Sequence, residues 1–134
     1  MRYVPLLVIP LLLYNAFAFL IFQEPAADFR EAVMFSLTMP SGAVFTLTVS
    51  ATIILLSLLL LGVEVVKASR TGSASVVDHV LAAILFVVFV LEFLLVPEAA
   101  TSTFAVLTAI ALIDLVCGFA VSLRAAARDV TIYE

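Results

Sequence analysis

Four long apolar runs constrain this chain more than any other feature of its sequence. They cover residues 3–22, 49–66, 76–96 and 101–123, and each is close to the roughly 20 residues that an α-helix needs to cross a bilayer. The chain of 134 residues is 66% hydrophobic and 12% charged, whereas about a quarter of the residues in a soluble domain are charged. We therefore predict one all-α integral membrane domain, an antiparallel four-helix transmembrane bundle.

The positive charges predict how these spans are oriented. Four spans place both ends of the chain on one side of the membrane, and Lys or Arg residues near span ends favour the cytoplasmic side. Arg30 alone lies in the connection 23–48, which predicts an outer loop there and cytoplasmic termini. Ala16-Phe-Ala18 matches a signal-peptide cleavage pattern, but the apolar run continues to residue 22, so we predict an uncleaved anchor. The other five cationic residues are Arg2, Lys67, Arg70, Arg124 and Arg128.

The outer loop carries a period-two pattern. Residues 35–48 alternate between apolar and polar side chains on both sides of Pro40-Ser-Gly42, which is typical of a β-hairpin. The alternative is a second helix that begins at Ser41 and continues to residue 66, which is long for a bilayer. We favour a small extracytoplasmic β-hairpin between helices 1 and 2, preceded by a short interfacial helix around residues 29–37. The tip is the predicted partner surface, formed by Met39, Pro40, Ser41 and Gly42.

Three polar residues lie deep within the apolar runs. Asp114 is ten residues before Arg124, about 15 Å from the cytoplasmic edge at 1.5 Å per residue. The same count places Asn15 and Ser57 at about 16 and 14 Å. An ionised carboxylate in lipid costs at least about 2.5–3.5 kcal/mol, and such residues face a bundle interior or a water-filled cavity. We predict a buried polar cluster at the bilayer centre, formed by Asp114, Asn15 and Ser57, with no base at that depth.

Two glutamates lie nearer the span ends. Glu92 is five residues before Pro97, about 7 Å below the outer surface. It is a candidate proton or partner site that could reach water, a hydroxyl such as Thr103 or Thr108, or a partner. Glu64 precedes Lys67 by three residues, and we predict that it is solvated or locally paired at the inner interface.

The chain has one histidine and one cysteine, which limits its chemistry. Cys117 alone supports neither an intrachain disulfide nor a cysteine metal site, and His79 alone could not supply both axial ligands of a haem. We predict that His79 is an interfacial residue near the start of a helix whose capping box is Ser75 with Asp78. We expect no cofactor and no metal, and the absence of a basic patch argues against binding of nucleic acid.

Three segments carry a resemblance to known proteins. They are Met39-Pro-Ser-Gly42 with Leu47-Thr48, Arg70-Thr-Gly-Ser-Ala-Ser75 with Asp78-His79, and Glu92-Phe-Leu-Leu-Val-Pro97 with Ala99-Ala-Thr-Ser-Thr-Phe104. In these segments the chain resembles a group of small bacterial four-span inner-membrane proteins of uncharacterised activity. The resemblance implies this layout and a bacterial inner (plasma) membrane, and it implies no activity.

Two hypotheses for the function follow. The first is an accessory or assembly subunit that joins a larger membrane complex through helix packing and its outer loop, with another membrane protein or a second copy as partner within the lipid bilayer. The alternative is a minimal proton-coupled carrier or ion pathway that uses Asp114 and Glu92. We do not expect an enzyme, because no residues have nucleophile–base or metal-ligand spacing.

Overall fold

The computed structural model describes residues 4–21, 28–68 and 73–132. These residues form mainly α-helix, with one two-stranded antiparallel sheet between the first and second helices. The helices are α1 (Val8–Ala16), α2 (Val49–Ala68), α3 (Ser73–Leu95) and α4 (Ser102–Ile132), and the strands are β1 (Val33–Thr38) and β2 (Val44–Thr48). A π-helical turn, Phe17–Ile21, extends α1, and two 3-10 turns cover Phe29–Glu31 and Pro97–Ala99.

Three helical segments are long and apolar enough to cross a membrane: Val49–Ala68, Val76–Leu95 and Ser102–Val121. They correspond to the second, third and fourth predicted spans. The apolar helical stretch of the first run, Val8–Leu20, falls in a shorter class and is below the roughly 20 residues of a full span. The ends of that predicted span, residues 3 and 22, lie outside the described residues.

Helix α4 is the common neighbour of α2 and α3. Ser50 of α2 bonds Thr103 of α4 near the start of both helices, and Ala68 of α2 lies close to Gly118 further along both. Helices α2 and α4 therefore run in the same direction. We call the end that carries the sheet and the turn Pro97–Ala99 the hairpin end, and the opposite end the Glu64 end.

Helices α1 and α3 run the other way. The start of α3 is near Gly118 through His79, and its later residue Phe89 contacts Phe104. The backbone N–H of Leu6 bonds the Glu64 side chain, whereas Tyr14 reaches the turn between α3 and α4. Successive helices thus alternate in direction.

Aromatic side chains fill the core at the hairpin end. Phe104 of α4 is fully buried, and its ring lies 4.9 Å from Tyr14 and 5.5 Å from Phe89, measured between centroids. Tyr14 also packs edge-on against Phe29 at 5.3 Å. Such edge-to-face pairs each add about 0.5–1.5 kcal/mol beyond burial. This cluster joins α1, α3, α4 and the first 3-10 turn.

The β-hairpin prediction is confirmed, and a second helix beginning at Ser41 is wrong, because α2 begins at Val49. Phe35 pairs with Leu47 and Leu37 with Phe45, so alternate side chains share one face. Gly42 has φ of +89°, a conformation that a residue without Cβ adopts freely. The tight turn at Gly42 leads from β1 directly into β2, and α2 begins only after β2.

The predicted interfacial helix around residues 29–37 is wrong beyond its first turn. Only Phe29–Glu31 is helical, and Val33 already belongs to β1. The Asp28 side chain accepts the Arg30 backbone N–H and caps this 3-10 turn, and strand pairing then satisfies the following backbone groups. The strand therefore begins two residues before Phe35, and its pairing register shifts between Val33 and Phe35.

Candidate functional site

Asp114 lies at the Glu64 end, in a polar layer between α2, α3 and α4. Its side chain is only 5% exposed and lines a cavity of about 10 Å³. The described span of α4 runs from Ser102 to Val121, so Asp114 is about 10 Å from one end and about 18 Å from the other at 1.5 Å per residue. The sequence count placed Asp114 at the centre of the bilayer, and the structure places it in the half nearer the Glu64 end. The other lining residues are Glu64, Lys67, Ala68, Asp78, His79, Ala82 and Gly118.

Glu64 joins two helices within this layer. It is 7% exposed, and its Oε1 accepts the backbone N–H of Leu6 at 2.6 Å. The same oxygen accepts Lys67 Nζ at 3.3 Å. The predicted pairing with Lys67 is present, but Glu64 is buried rather than solvated. A carboxylate at the start of a helix satisfies a backbone N–H that has no partner inside that helix, so Glu64 anchors the start of α1.

His79 and Asp78 bring α3 into the layer. The His79 ring packs edge-on against Phe119, with 6.1 Å between centroids, and a Cβ on Gly118 would lie 3.4 Å from His79 Cε1. The small residue on α4 therefore makes room for the imidazole. The predicted capping box is wrong, because α3 begins at Ser73, which places Ser75 inside the helix rather than at its cap.

Ser57 is buried but does not bond Asp114. Its Oγ donates to the Ile53 backbone carbonyl at 2.7 Å, so the hydroxyl is satisfied within α2. Ser57 precedes Glu64 by seven residues, or about two helical turns, and both side chains are buried. Ser57 thus shares the buried face of α2 with Glu64, one layer nearer to the hairpin end.

Asn15 lies near the hairpin end, away from Asp114. Its side-chain N–H donates to the Leu11 carbonyl at 2.9 Å, and its amide lies near the Glu92 side chain. Adjacent Tyr14 lies at the hairpin end, where its hydroxyl is 2.7 Å from Thr101 Oγ1. Asp114 is thirteen residues beyond Thr101 in α4, or about 20 Å away along the helix. The structure therefore separates Asn15 from Asp114.

The depth of Asn15 was counted from Val4 on the assumption that the helix began at the membrane surface. In the structure, Leu6 already lies beside Glu64, and α1 begins at Val8. The first helix is therefore displaced along the bundle, which brings its ninth residue, Ala16, to the hairpin end.

Glu92 is half-buried in α3 near the hairpin end, and the Asn15 side chain lies near it. The threonines considered from the sequence are engaged elsewhere. Thr103 Oγ1 is 2.7 Å from Ser50 Oγ, and Thr108 donates to the Phe104 carbonyl. Glu92 therefore lies beside Asn15, where α1 approaches α3.

The hairpin forms the third candidate surface. Phe35, Leu37 and Phe45 are exposed and share one face, and Ser36 and Thr46 lie opposite each other on the other face. The Met39 N–H donates to the Ala43 carbonyl and the Gly42 N–H donates to the Met39 carbonyl, which closes the tip. The predicted partner residues are all exposed: Met39, Pro40, Ser41 and Gly42.

Sequence reasoning missed the group around Asp114. The signal was present, because Ser57, Glu64 and Lys67 recur at spacings of seven and three, which place them on one helical face.

Among the described residues, no group of three or more His, Cys, Asp or Glu side chains has an arrangement that could hold a metal ion.

Comparison with known proteins gives no match to a family model, a curated protein or a solved structure. The resemblance to small bacterial inner-membrane proteins therefore stays a prediction.

Proposed function

We propose that this chain is an integral protein of the bacterial inner membrane whose four antiparallel helices all cross the bilayer. Large apolar side chains are exposed along the outer faces of the helices, including Leu59, Leu94 and Leu95. Apolar surface on this scale needs a lipid or protein cover. Although α1 is short, it reaches from Glu64 to Thr101, which supports a span by α1 as well.

The charges support an orientation with the Glu64 end in the cytoplasm. Lys67 and Arg124 lie toward that end, and Arg30 lies beside the hairpin. Arg30 is paired with the Asp28 carboxylate, and the side-chain hydrogen bond between them holds the pKa of Asp28 below its usual value. The cationic residue at the hairpin end is thus locally neutralised, consistent with an outer hairpin and two cytoplasmic termini.

Within this membrane, the chain acts as an accessory or assembly subunit. The observation that carries this role is the apolar face of the hairpin, where Phe35, Leu37 and Phe45 are all exposed. A two-stranded hairpin is marginal by itself and is stabilised when a third strand or a packing surface covers it. A partner membrane protein, or a second copy, would supply that cover and leave the polar face in water.

Photocrosslinking tests this role in native membranes. A photoreactive residue in place of Phe45 should yield one discrete crosslinked product, and the same group in place of Thr46 should not, because neighbouring positions face opposite ways. A Phe45→Ser variant should lose the complex recovered in mild detergent, whereas Thr46→Ser should retain it. Equal crosslinking at both positions, or recovery of the parent protein always alone, would contradict the accessory role.

The carrier hypothesis has one observation in its favour, which is a buried carboxyl near each end of the bundle, Asp114 and Glu92. The inward-facing residues of α4 between these levels include the buried apolar residues Leu107, Ile110 and Ala111. A proton path would need polar groups or water across that layer, so the accessory role has the stronger support. Proton-coupled flux in proteoliposomes that Asp114→Asn abolishes, with the fold retained, would reverse this preference.

A further inference from the structure

The cavity at the Glu64 end has no part in the role proposed for the hairpin. Its volume is about 10 Å³, about the smallest space that holds one water molecule. Such a water also needs two to four polar partners. Three carboxyl groups, one ammonium group and one imidazole line this cavity: Glu64, Asp78, Asp114, Lys67 and His79.

The Asp78 carboxyl has an oxygen that needs a hydrogen-bond donor. Its Oδ1 is shielded from solvent and has no hydrogen-bond partner within the described part of the chain. An acceptor left unsatisfied in this way costs about 1–3 kcal/mol. A water molecule has two O–H donors, so one water in the cavity would satisfy Asp78 Oδ1 and still have a donor for a second carboxyl.

Asp114 is the second carboxyl. It is nineteen-twentieths buried and lines the same cavity, and no hydrogen bond joins it to any residue that the structure describes. Glu64, by contrast, already accepts from Leu6 and Lys67. An ionised carboxylate buried without donors is strongly unfavourable, whereas a protonated one needs fewer donors and can itself donate.

The balance of charge points the same way. Helix α2 contributes Glu64 and Lys67, α3 contributes Asp78 and His79, and α1 contributes only the backbone N–H of Leu6. The single ammonium group is 3.3 Å from Glu64, which leaves Asp78 and Asp114 without a dedicated cation among the residues that the structure describes. Like charges in one buried site favour binding of a proton by one of them.

We propose that this cavity is a hydrated proton-binding site, in which one water bridges Asp78 and Asp114 and one proton resides on Asp114. The proton comes from hydronium at the cytoplasmic end, where Asp78 and His79 are partly exposed. An O–H bond forms on one Asp114 oxygen, the hydronium O–H bond breaks, and a neutral water remains. No other reactant is required. The site exchanges protons with one side only, and it does not rest on the accessory role.

Infrared spectroscopy of the purified protein in vesicles of phosphatidylethanolamine and phosphatidylglycerol tests this site. At neutral pH the protein should show the C=O band of a protonated carboxylic acid. Asp114→Asn should remove this band, and Glu92→Gln should leave it in place. Replacement of the solvent by water with heavy oxygen should shift a sharp O–H band that is missing in Asp114→Asn. Circular dichroism and gel filtration confirm that each variant keeps its fold.

Two further variants separate a proton site from a merely structural residue. Lys67→Gln removes the positive charge, so the carboxylic-acid band should persist to a pH about one unit higher or more. Asp78→Asn removes a like charge, so the band should vanish at a pH about one unit lower or more. Absence of any band that depends on Asp114 at neutral pH, or shifts in the same direction for both variants, would overturn the proton assignment. Absence of the isotope-sensitive O–H band would overturn the water assignment.

Discussion

Replacement of Tyr14 by Phe tests how α1 docks on the rest of the bundle. The Tyr14 hydroxyl donates to the Glu98 backbone carbonyl at 2.9 Å and lies 2.7 Å from Thr101 Oγ1. Phe keeps the ring and hence its edge contacts with Phe29 and Phe104. The variant therefore removes two hydrogen bonds between α1 and the turn from α3 to α4, and little else.

The size of the effect follows from those two bonds. An intramolecular hydrogen bond contributes about 0.5–1.5 kcal/mol net, and bonds between transmembrane helices average about 0.6 kcal/mol. Thr101 Oγ1 also accepts the Phe104 backbone N–H at 3.2 Å, so it is not left without a partner. We expect Tyr14→Phe to lower the free energy of unfolding by about 1–2 kcal/mol.

A double-mutant cycle provides the assay. The unfolding free energies of the parent, Tyr14→Phe, Thr101→Val and the double variant are measured in mixed micelles with increasing denaturing detergent. The cycle cancels the loss of the Phe104 cap, which both Thr101 variants share, and isolates the pair. We expect a coupling of about 0.5 kcal/mol or more. If the coupling is zero while both single variants stay folded, the hydroxyl does not meet Thr101 and the position of α1 is wrong.

Three other predictions concern the glycines and the first 3-10 turn. Gly62 has open space around it, so Gly62→Ala should raise the unfolding free energy by about 0.5–1 kcal/mol. In Gly118→Ala, the new Cβ contacts His79 at 3.4 Å, which should cancel that gain and shift the imidazole NMR signals. Equal gains in the unfolding free energy of the two variants would contradict this packing. Gly42→Val places a β-branched residue at φ +89°, at a cost of about 1–2 kcal/mol, so amide exchange should accelerate in both strands and not in the helices. A hydrogen bond from the neighbouring guanidinium lowers the pKa of Asp28, so the pair stabilises the turn above the unfolded pKa of about 3.9 and this stabilisation is lost as the pH falls through the lower folded pKa. Amide exchange in the turn should then rise in acid, and Asp28→Asn should remove that pH dependence.

The elements that could be predicted are those set by local pattern. The second predicted span, 49–66, appears as Val49–Ala68, and the third, 76–96, as Ser73–Leu95. The length of each apolar run predicts both helices, because a spanning helix satisfies its own backbone hydrogen-bonding groups across the fixed thickness of the bilayer. The hairpin was predictable for a similar reason, since its period of two is incompatible with one buried helical face.

The contacts among the polar residues of the spans could not be predicted, because they depend on the axial offset of each helix against its neighbours. A depth count assumes that each helix starts at the membrane surface. Leu6 instead bonds Glu64, so α1 is displaced, and Asn15 meets Glu92 rather than Asp114. A single sequence indicates which face of a helix each residue occupies, but it does not indicate the axial offset between two helices.

The polar contacts of α1 explain why so short a helix keeps its place. Its helical stretch, Val8–Leu20, is below the roughly 20 residues of a full span. Glu64 holds its start through Leu6, and Tyr14 holds its far end through Glu98 and Thr101. The buried Glu64 carboxyl therefore has a structural task, which is to anchor α1.

Asp114 has no such task within the described residues. Its removal leaves the Glu64 and Tyr14 contacts of α1 intact, so Asp114→Asn should preserve the fold while it alters proton binding. In an accessory subunit, that loss would leave the complex formed by the hairpin unchanged, because about 20 Å of helix separates Asp114 from the hairpin end. In a carrier, the same loss would stop flux. Asp114 is thus the residue at which the two hypotheses make opposite predictions, while a Glu64 variant would disturb the start of α1 under either.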